Sequence, residues 1–315
     1  GACFYLLGVG YLYLITGTLN MGDIARLLPP LYESPTVATA FCFLMVGLWI
    51  KMAFFPLHGW LPNAYTHAPA GASVLIAPLM TKVTVYLMIR IIFSVFSPQY
   101  AFLIHGRVQT LIVWAAVIAI VAASLIALSQ RDLVKMLTYV VIAEVAYMVG
   151  GVWLGNTNGL TGAVFHIVND ALMNLCFFLV SSAILYRFGS THFKDLHQLF
   201  RKMPITLCVL VVGALSVVGV PPTCGFFSKW YLLLGGIEAG HYGFVGALIF
   251  SSLVNAVIFF RVLEIAFSSA GEESVPAEIS GSRETHPLMI PSLVVVAIAL
   301  VVIGINAGSF LSQVI

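Results

Sequence analysis

Apolar runs long enough to cross a lipid bilayer as helices recur along almost the whole chain. A spanning helix needs about 20 apolar residues, and the sequence predicts about nine such spans. They lie near residues 1–19, 36–55, 70–96, 107–128, 133–154, 158–187, 204–235, 242–268 and 287–312. Composition agrees, because 61% of the 315 residues are hydrophobic and only 8% are charged. We therefore expect an all-α, polytopic membrane helix bundle forming a single transmembrane domain over residues 1–315.

Two of the predicted spans contain residues that interrupt helices. Pro78 lies inside the third span, and the stretch GVPPTCGFF (219–227), with Pro221 and Pro222, divides the seventh. Irregular backbone at membrane depth is tolerated only where it is buried in protein or lines a watered cavity. These three prolines therefore predict broken helices in the interior of the bundle.

The charged loops predict an orientation, because basic residues favour cytoplasmic loops. The basic segments 129–135, 186–204 and 261–283 fall on alternate loops and are placed inside, together with Gly1 and the segment 56–69. The segments 155–160 and 235–242 and the C-terminus then face outside, and residues 268–287 form an exposed polar loop. The first predicted span begins at Gly1 without a methionine, so we expect that earlier spans are missing. A bacterial or archaeal inner membrane is the expected location.

Charge and cysteine spacing limit the partners. The net charge is +2 and no dense Lys/Arg cluster is present, so nucleic acid is not expected as a partner. The five cysteines show no CxxC spacing and are interpreted as small core residues, without a metal site or a disulfide. Lipid, other membrane subunits and ions remain as the expected partners.

Six ionisable residues within the predicted spans need an explanation. Placing such a group at mid-membrane costs roughly 2.5–3.5 kcal/mol, so each must be paired, hydrated or functional. They are Lys51, Lys82, Glu144, His166, Asp170 and Lys229. Lys51 ends a span and has an alternative interpretation as a snorkelling lysine. Glu144 has an alternative interpretation as the buried partner of a cation.

His166, Asp170 and Asn174 are spaced four residues apart in the sixth predicted span. On a helix this spacing drifts by only about 40° per step, so the three side chains line one face. Such a stripe can carry hydrogen bonds and water between helices. It can also be a polar seam that holds two helices together.

Lysines, a carboxylate and a histidine on separate broken helices favour proton movement over hydrolysis, which would require a nucleophile and an oxyanion site. A buried lysine releases or takes up a proton as neighbouring charges change, and histidine relays it. Haem ligation is disfavoured because only one histidine lies well inside a span. A quinone site stays open.

Three motifs carry a family resemblance. KMAFFPLHGWLPNAYTHAPAGASVLIAPLMTKVTVYLMIR (51–90), SQRDLVKMLTYVVIAEVAYMVGG (129–151) and ALSVVGVPPTCGFFSKWYLLLGGIEAG (214–240) follow in order. They resemble the proton-translocating membrane transporter family, which comprises antiporter-like subunits of respiratory complex I, large subunits of Mrp cation/proton antiporters and related subunits of membrane-bound hydrogenases. The GFFSKWYLL form looks most like the D-type Mrp subunit. The resemblance implies fourteen spans in two inverted repeats, each with a broken helix, of which this chain corresponds to spans six to fourteen.

The resemblance also implies roles for individual residues. Lys51 looks like the lysine modulated by a glutamate of the missing front, Lys82 like the connecting lysine of the first half-channel, and Lys229 like the exit-side lysine on the second broken helix. His166 matches the first member of the family's histidine, histidine, lysine series, whose other places are taken here by Asp170 and Asn174. Glu144 stands where the family commonly has histidine or glutamine.

These observations lead to one principal hypothesis and two alternatives. The principal hypothesis is a proton-translocating subunit of an Mrp-type cation/proton antiporter, with half-channels joined by a midplane row of Lys82, His166/Asp170 and Lys229. One alternative is a proton-pumping subunit of complex I or of a membrane-bound hydrogenase. The other is a structural subunit that conducts nothing. No cofactor is expected on this chain, so any redox chemistry belongs to other subunits.

Overall fold

The computed structural model describes residues 1–104, 106–268 and 284–308. Within these ranges the chain is helical, with one isolated β-bridge between Asp132 and His192. The α-helices are α1 (Ala2–Thr16), α2 (Met21–Leu27), α3 (Pro35–Met52), α4 (Leu61–His67), α5 (Ala70–Ile91), α6 (Gly106–Ser129), α7 (Leu133–Trp153), α8 (Thr157–Phe188), α9 (Leu199–Lys202), α10 (Pro204–Val218), α11 (Cys224–Glu238), α12 (Tyr242–Phe267) and α13 (Met289–Ile305). Two π-helical segments, Ile92–Phe96 and Gln99–Ile104, follow α5.

Six helices of the described part of the chain are long and apolar enough to cross a membrane, namely α3, α5 with its extension to Phe96, α6, α7, α8 and α12. A seventh span results if α1 and α2, which are bent by 58° to one another, are taken together. The other predicted spans correspond to shorter apolar helices: α10 and α11 divide the seventh, and α13 has 17 residues. Most of the predicted loop 268–287 and the end of the ninth predicted span lie outside the described residues.

The broken helix predicted at the double proline is present in the structure. Helix α10 ends at Val218, where Gly219 adopts a left-handed conformation with φ of 89°, and α11 begins after Thr223. Pro221 and Pro222 lie in the gap, where neither has to donate a helical hydrogen bond. Two half-helices therefore flank an irregular segment. Pro221 and Pro222 are exposed in this chain, so their predicted position in the interior of the bundle is wrong.

The break predicted at Pro78 is absent, and this prediction is wrong. Helix α5 continues through Pro78, which is buried. Membrane helices accommodate proline because neighbouring helices and local adjustments compensate for the lost hydrogen bond. The interruption in this half of the chain lies earlier, between α3 and α4, where Ala53 adopts φ of 58°.

Basic segments 129–135 and 186–204 and the described part of the third, residues 261–268, lie at one end of the bundle. The N–H of Leu133 donates to the carbonyl of Thr191 at 2.9 Å, so the loop 129–135 contacts the loop 186–204. The N–H of Gln198 donates to the carbonyl of Ser268 at 3.2 Å, which brings the end of α12 to the same place. This clustering agrees with the orientation that the charges predict.

The segments predicted to face outside also lie together. The Asn156 side chain donates to the Gly235 carbonyl at 2.7 Å, and Asn158 donates to Glu238 at 2.9 Å. The segment 56–69 is at the basic end, because the His58 ring lies 6.0 Å from that of Tyr139 in the second turn of α7. The described segments therefore sort to the two ends of the bundle as the loop charges predict.

Helix α7 is the central helix, buried along nearly its whole length. It packs against α6 and α8 and also contacts α5, α11 and α12. Its start is set by Asp132, whose carboxylate accepts the Lys135 N–H at 3.0 Å and the Thr191 hydroxyl at 2.7 Å. The buried polar side chains of α7, Glu144 among them, therefore face other helices of the bundle.

Candidate functional site

Five ionisable side chains from four helices form a connected row in the centre of the bundle. They are Lys82 on α5, Glu144 on α7, His166 and Asp170 on α8, and Lys229 on α11. All five are buried, with exposed fractions of at most 5%. Burial at this level requires that the charges compensate one another, because an isolated charge in a low-dielectric interior is strongly unfavourable. We call this group the ion-pair row.

Lys82 and Asp170 form one end of the ion-pair row. The Lys82 Nζ lies 2.9 Å from the Asp170 Oδ2. The other carboxylate oxygen, Oδ1, accepts a hydrogen bond from the Asn174 side chain at 2.6 Å. Both oxygens of Asp170 are thus engaged, one by a cation and one by a neutral amide.

Glu144 is the central member of the row. Its Oε2 lies 2.9 Å from the His166 Nε2, and its Oε1 lies 3.8 Å from the Lys229 Nζ. One carboxylate therefore faces a histidine from α8 and a lysine from the broken helix. His166 and Asp170 are one helical turn apart on α8, a rise of about 6 Å, so α8 connects the Glu144 end with the Lys82 end.

The end of the broken helix provides a hydrogen-bond acceptor for Lys229. Its side chain leaves α11 but its Nζ donates to the Val217 carbonyl in the last turn of α10, and also to the Ser252 hydroxyl at 3.1 Å. The last carbonyls of a helix have no partner within it, and the C-terminal end of a helix attracts cations. The break thus supplies acceptors for a buried ammonium group at mid-bundle.

Tyr147 packs between two members of the row. The Lys229 Nζ lies 5.1 Å from the centre of the Tyr147 ring, and the rings of Tyr147 and His166 are 5.6 Å apart. The Tyr147 hydroxyl donates to Ser251, which is itself 2.6 Å from the Ser124 hydroxyl. Tyr147 therefore gives Lys229 an aromatic face and is anchored to α12 and, through Ser251, to α6.

Two further side chains connect α8 with α11. Asn169 donates to the Cys224 carbonyl at 2.8 Å, and His166 Nδ1 lies 2.9 Å from the Ser228 hydroxyl. Reasoning from sequence missed Asn169, Ser228 and Tyr147. The available signal was their closeness in sequence to predicted site residues. Asn169 precedes Asp170, Ser228 precedes Lys229, and Tyr147 lies one turn after Glu144.

Six of the predicted pathway residues lie close together in specific pairings: Lys82, Glu144, His166, Asp170, Asn174 and Lys229. Asp170 forms its ion pair with Lys82, and not with Lys229 or with His166 on its own helix. Lys51 lies in the last turn of α3 with an exposed side chain and is not in contact with the row. Among the three prolines, Pro221 and Pro222 occupy a break and Pro78 does not.

Comparisons with known proteins agree with this architecture. The family model described as NADH:quinone oxidoreductase/Mrp antiporter, TM, matches residues 1–255. The N subunit of the NADH-quinone oxidoreductase of Desulforudis audaxviator is 44% identical over 322 residues, covering 100% of this chain and 64% of that protein. The D-type subunit of the Na⁺/H⁺ antiporter of Alkalihalophilus pseudofirmus is 29% identical over 297 residues, covering 94% of this chain and 59% of that protein.

A solved structure supports the fold. A chain of the Mrp complex from Dietzia sp. DQ12-45-1b superposes with a TM-score of 0.85 at 21% identity, covering 98% of this chain and 63% of that one. The present chain therefore spans just under two thirds of the length of these relatives. The chain belongs to the NADH:quinone oxidoreductase/Mrp antiporter transmembrane family and is an antiporter-like integral membrane subunit of the Mrp or complex I type.

Proposed function

We propose that this chain conducts protons as a subunit of a multisubunit membrane complex. In this proposal the ion-pair row connects its two half-channels. The observation that carries the proposal is the position of Glu144, which faces His166 at 2.9 Å and Lys229 at 3.8 Å. A carboxylate shared by two basic groups makes the charge state of one depend on that of the other. Such dependence is what a proton-transfer chain requires.

The row supports a simple sequence of events. A proton arriving on His166 strengthens its attraction to Glu144 and weakens the hold of Glu144 on Lys229. Lys229 keeps the Val217 carbonyl and the Ser252 hydroxyl as alternative partners, so it can separate from Glu144 without losing all its hydrogen bonds. At the other end of the row, the Asp170 carboxylate holds the Lys82 ammonium group as Glu144 holds that of Lys229. Lys51 of α3 takes no part in these proton-transfer events.

Among the complexes of this family, we favour a subunit of the N type from a quinone oxidoreductase over the D-type Mrp subunit suggested by the GFFSKWYLL motif. The support is the 44% identity to an N-type subunit across the whole chain, against 29% to a D-type one. Redox chemistry would then occur in partner subunits. An imposed Na⁺ or K⁺ gradient distinguishes the two, because proton flux driven by such a gradient is expected only for the antiporter.

Proton flux into vesicles that hold the full-length subunit in its complete complex tests the proposal. Glu144→Gln removes the charge but keeps the shape, and is expected to reduce flux at least tenfold, roughly the effect of losing one charged partner in a buried pair. Glu264→Gln, an identical change at an exposed position of α12, is the control. If complexes with Glu144→Gln assemble and conduct at the control rate, the chain is a structural subunit and the proposal fails.

A further inference from the structure

Ser228 has two hydrogen-bonding partners that a single hydroxyl cannot donate to at once. Its Oγ lies 2.9 Å from His166 Nδ1 and 3.2 Å from the carbonyl oxygen of Gly225, one turn earlier on α11. The side chain is fully buried. A serine hydroxyl has one proton to donate and two lone pairs to accept with. Its proton therefore points either at His166 or at Gly225.

These two orientations correspond to two charge states of His166. When the imidazole is neutral, Ser228 donates to Nδ1 and the proton on Nε2 is donated to Glu144, 2.9 Å away. When the imidazole is protonated, Nδ1 becomes a donor, so Ser228 must accept from it and turn its own proton to Gly225. Each state satisfies both ring nitrogens, and the Ser228 oxygen does not move.

We propose that Ser228 is a hydroxyl switch that positions His166 in both of its charge states and so lets it relay protons. In a relay cycle a proton binds at Nδ1 as Ser228 turns to the Gly225 carbonyl. The Nε2 proton stays directed at the Glu144 carboxylate throughout, so the imidazole now carries a positive charge that strengthens its attraction to Glu144. When Nδ1 releases the same proton, the neutral Nε2–H imidazole is restored and Ser228 again donates to Nδ1. This inference rests on the proposed proton conduction.

The charged groups around His166 are provided by several helices and are unchanged by a substitution at Ser228. Glu144 faces it from α7, Asp170 lies one turn away on α8 with Lys82 of α5 as its partner, and Lys229 follows Ser228 on α11. The Tyr147 ring packs beside it. A change at Ser228 therefore alters only the Nδ1 side of the imidazole.

The test is the pH dependence of proton flux for Ser228→Ala in the complete complex. Hydrogen bonds to charged groups are roughly twice as strong as neutral ones, so the protonated imidazole loses more than the neutral one. We expect flux to fall roughly three- to tenfold and the alkaline limb of the flux–pH curve to move to lower pH by about half a unit to one unit. Ser228→Thr and Ser228→Cys, which keep a donor, are expected to restore part of the flux and of the curve.

A matched serine separates this effect from a packing effect. Ser181 lies on α8, is buried like Ser228, and donates to the Phe178 carbonyl of its own helix. Ser181→Ala should therefore leave the flux–pH curve unchanged. An unshifted curve for Ser228→Ala, with or without a uniform loss of flux, would overturn the switch. Normal flux for Glu144→Gln in the same experiment would overturn the proposed function itself, so the two failures are distinguishable.

Discussion

The strongest prediction concerns Asp170→Asn, which removes the counter-ion of a lysine that is only 2% exposed. The Lys82–Asp170 distance is 2.9 Å, and at an effective dielectric constant of about 20 Coulomb's law assigns this pair roughly 5–6 kcal/mol. Desolvation of the two charges offsets much of this when the pair forms. Removing one partner leaves the desolvation of the other uncompensated, so we expect a loss of about 3–5 kcal/mol.

Asparagine preserves the shape of Asp170 but not its charge. Asp170 uses one oxygen for Lys82 and the other for the amide of Asn174, at 2.6 Å. The Asn side chain keeps one acceptor oxygen, which can face Lys82 while its NH₂ group faces Asn174, whose own amide can turn to accept. The Lys82 ammonium group then has only a neutral partner. The substitution is nearly isosteric, so the loss arises from the missing charge and not from a cavity.

The assay is denaturation of the full-length protein in mixed micelles, with proton flux of the assembled complex measured in parallel. Asp23→Asn, at an exposed position on α2, controls for the chemistry of the change. Adding Lys82→Met to Asp170→Asn removes the unpaired charge. The double variant should therefore lose about 1–3 kcal/mol less unfolding free energy than the two single variants lose when their losses are added. Additivity within about 0.5 kcal/mol, or a loss no larger than that of Asp23→Asn, would refute the reasoning.

Two further predictions concern the surroundings of Lys229 and the broken helix. Tyr147→Leu removes the aromatic face 5.1 Å from Lys229 and is expected to lower proton flux by an amount equivalent to about 0.5–2 kcal/mol. Tyr147→Phe keeps the ring and should retain most of the flux. Equal flux from both variants would exclude a role for the ring. At Gly225 an added Cβ would collide with the Ser216 carbonyl oxygen, so Gly225→Ala should destabilise the junction of α10 and α11 by more than about 1–3 kcal/mol. Thermal denaturation checks this against Gly246→Ala on α12, where the added Cβ meets open space.

Much of the fold was predictable from local patterns. The long apolar runs predicted the helices, and the double proline predicted the break between α10 and α11. The four-residue spacing of His166, Asp170 and Asn174 predicted their common face on α8. These are properties of a short stretch of chain, so a short stretch of sequence determines them. Pro78 shows the limit, because α5 accommodates its proline within a surrounding bundle that the local pattern does not reveal.

The partners within the ion-pair row could not be predicted in the same way. Lys82 and Asp170 are 88 positions apart and Glu144 and Lys229 are 85 apart, by difference of their residue numbers. Which of several buried cations faces which carboxylate depends on the neighbours and rotation of each helix. In particular, nothing in the sequence places the Lys229 ammonium against the last turn of α10 or the Ser228 hydroxyl against His166.

The sequence by itself therefore determined that this chain is a membrane helix bundle with ionisable groups inside its apolar runs, because hydrophobic length and helical periodicity are local properties. Only the tertiary structure decided that Glu144 is the residue shared by His166 and Lys229 and that Asp170 belongs to Lys82. The physical reason is that the strength of a buried ion pair depends on the distance between the two groups in space, whatever their separation along the chain.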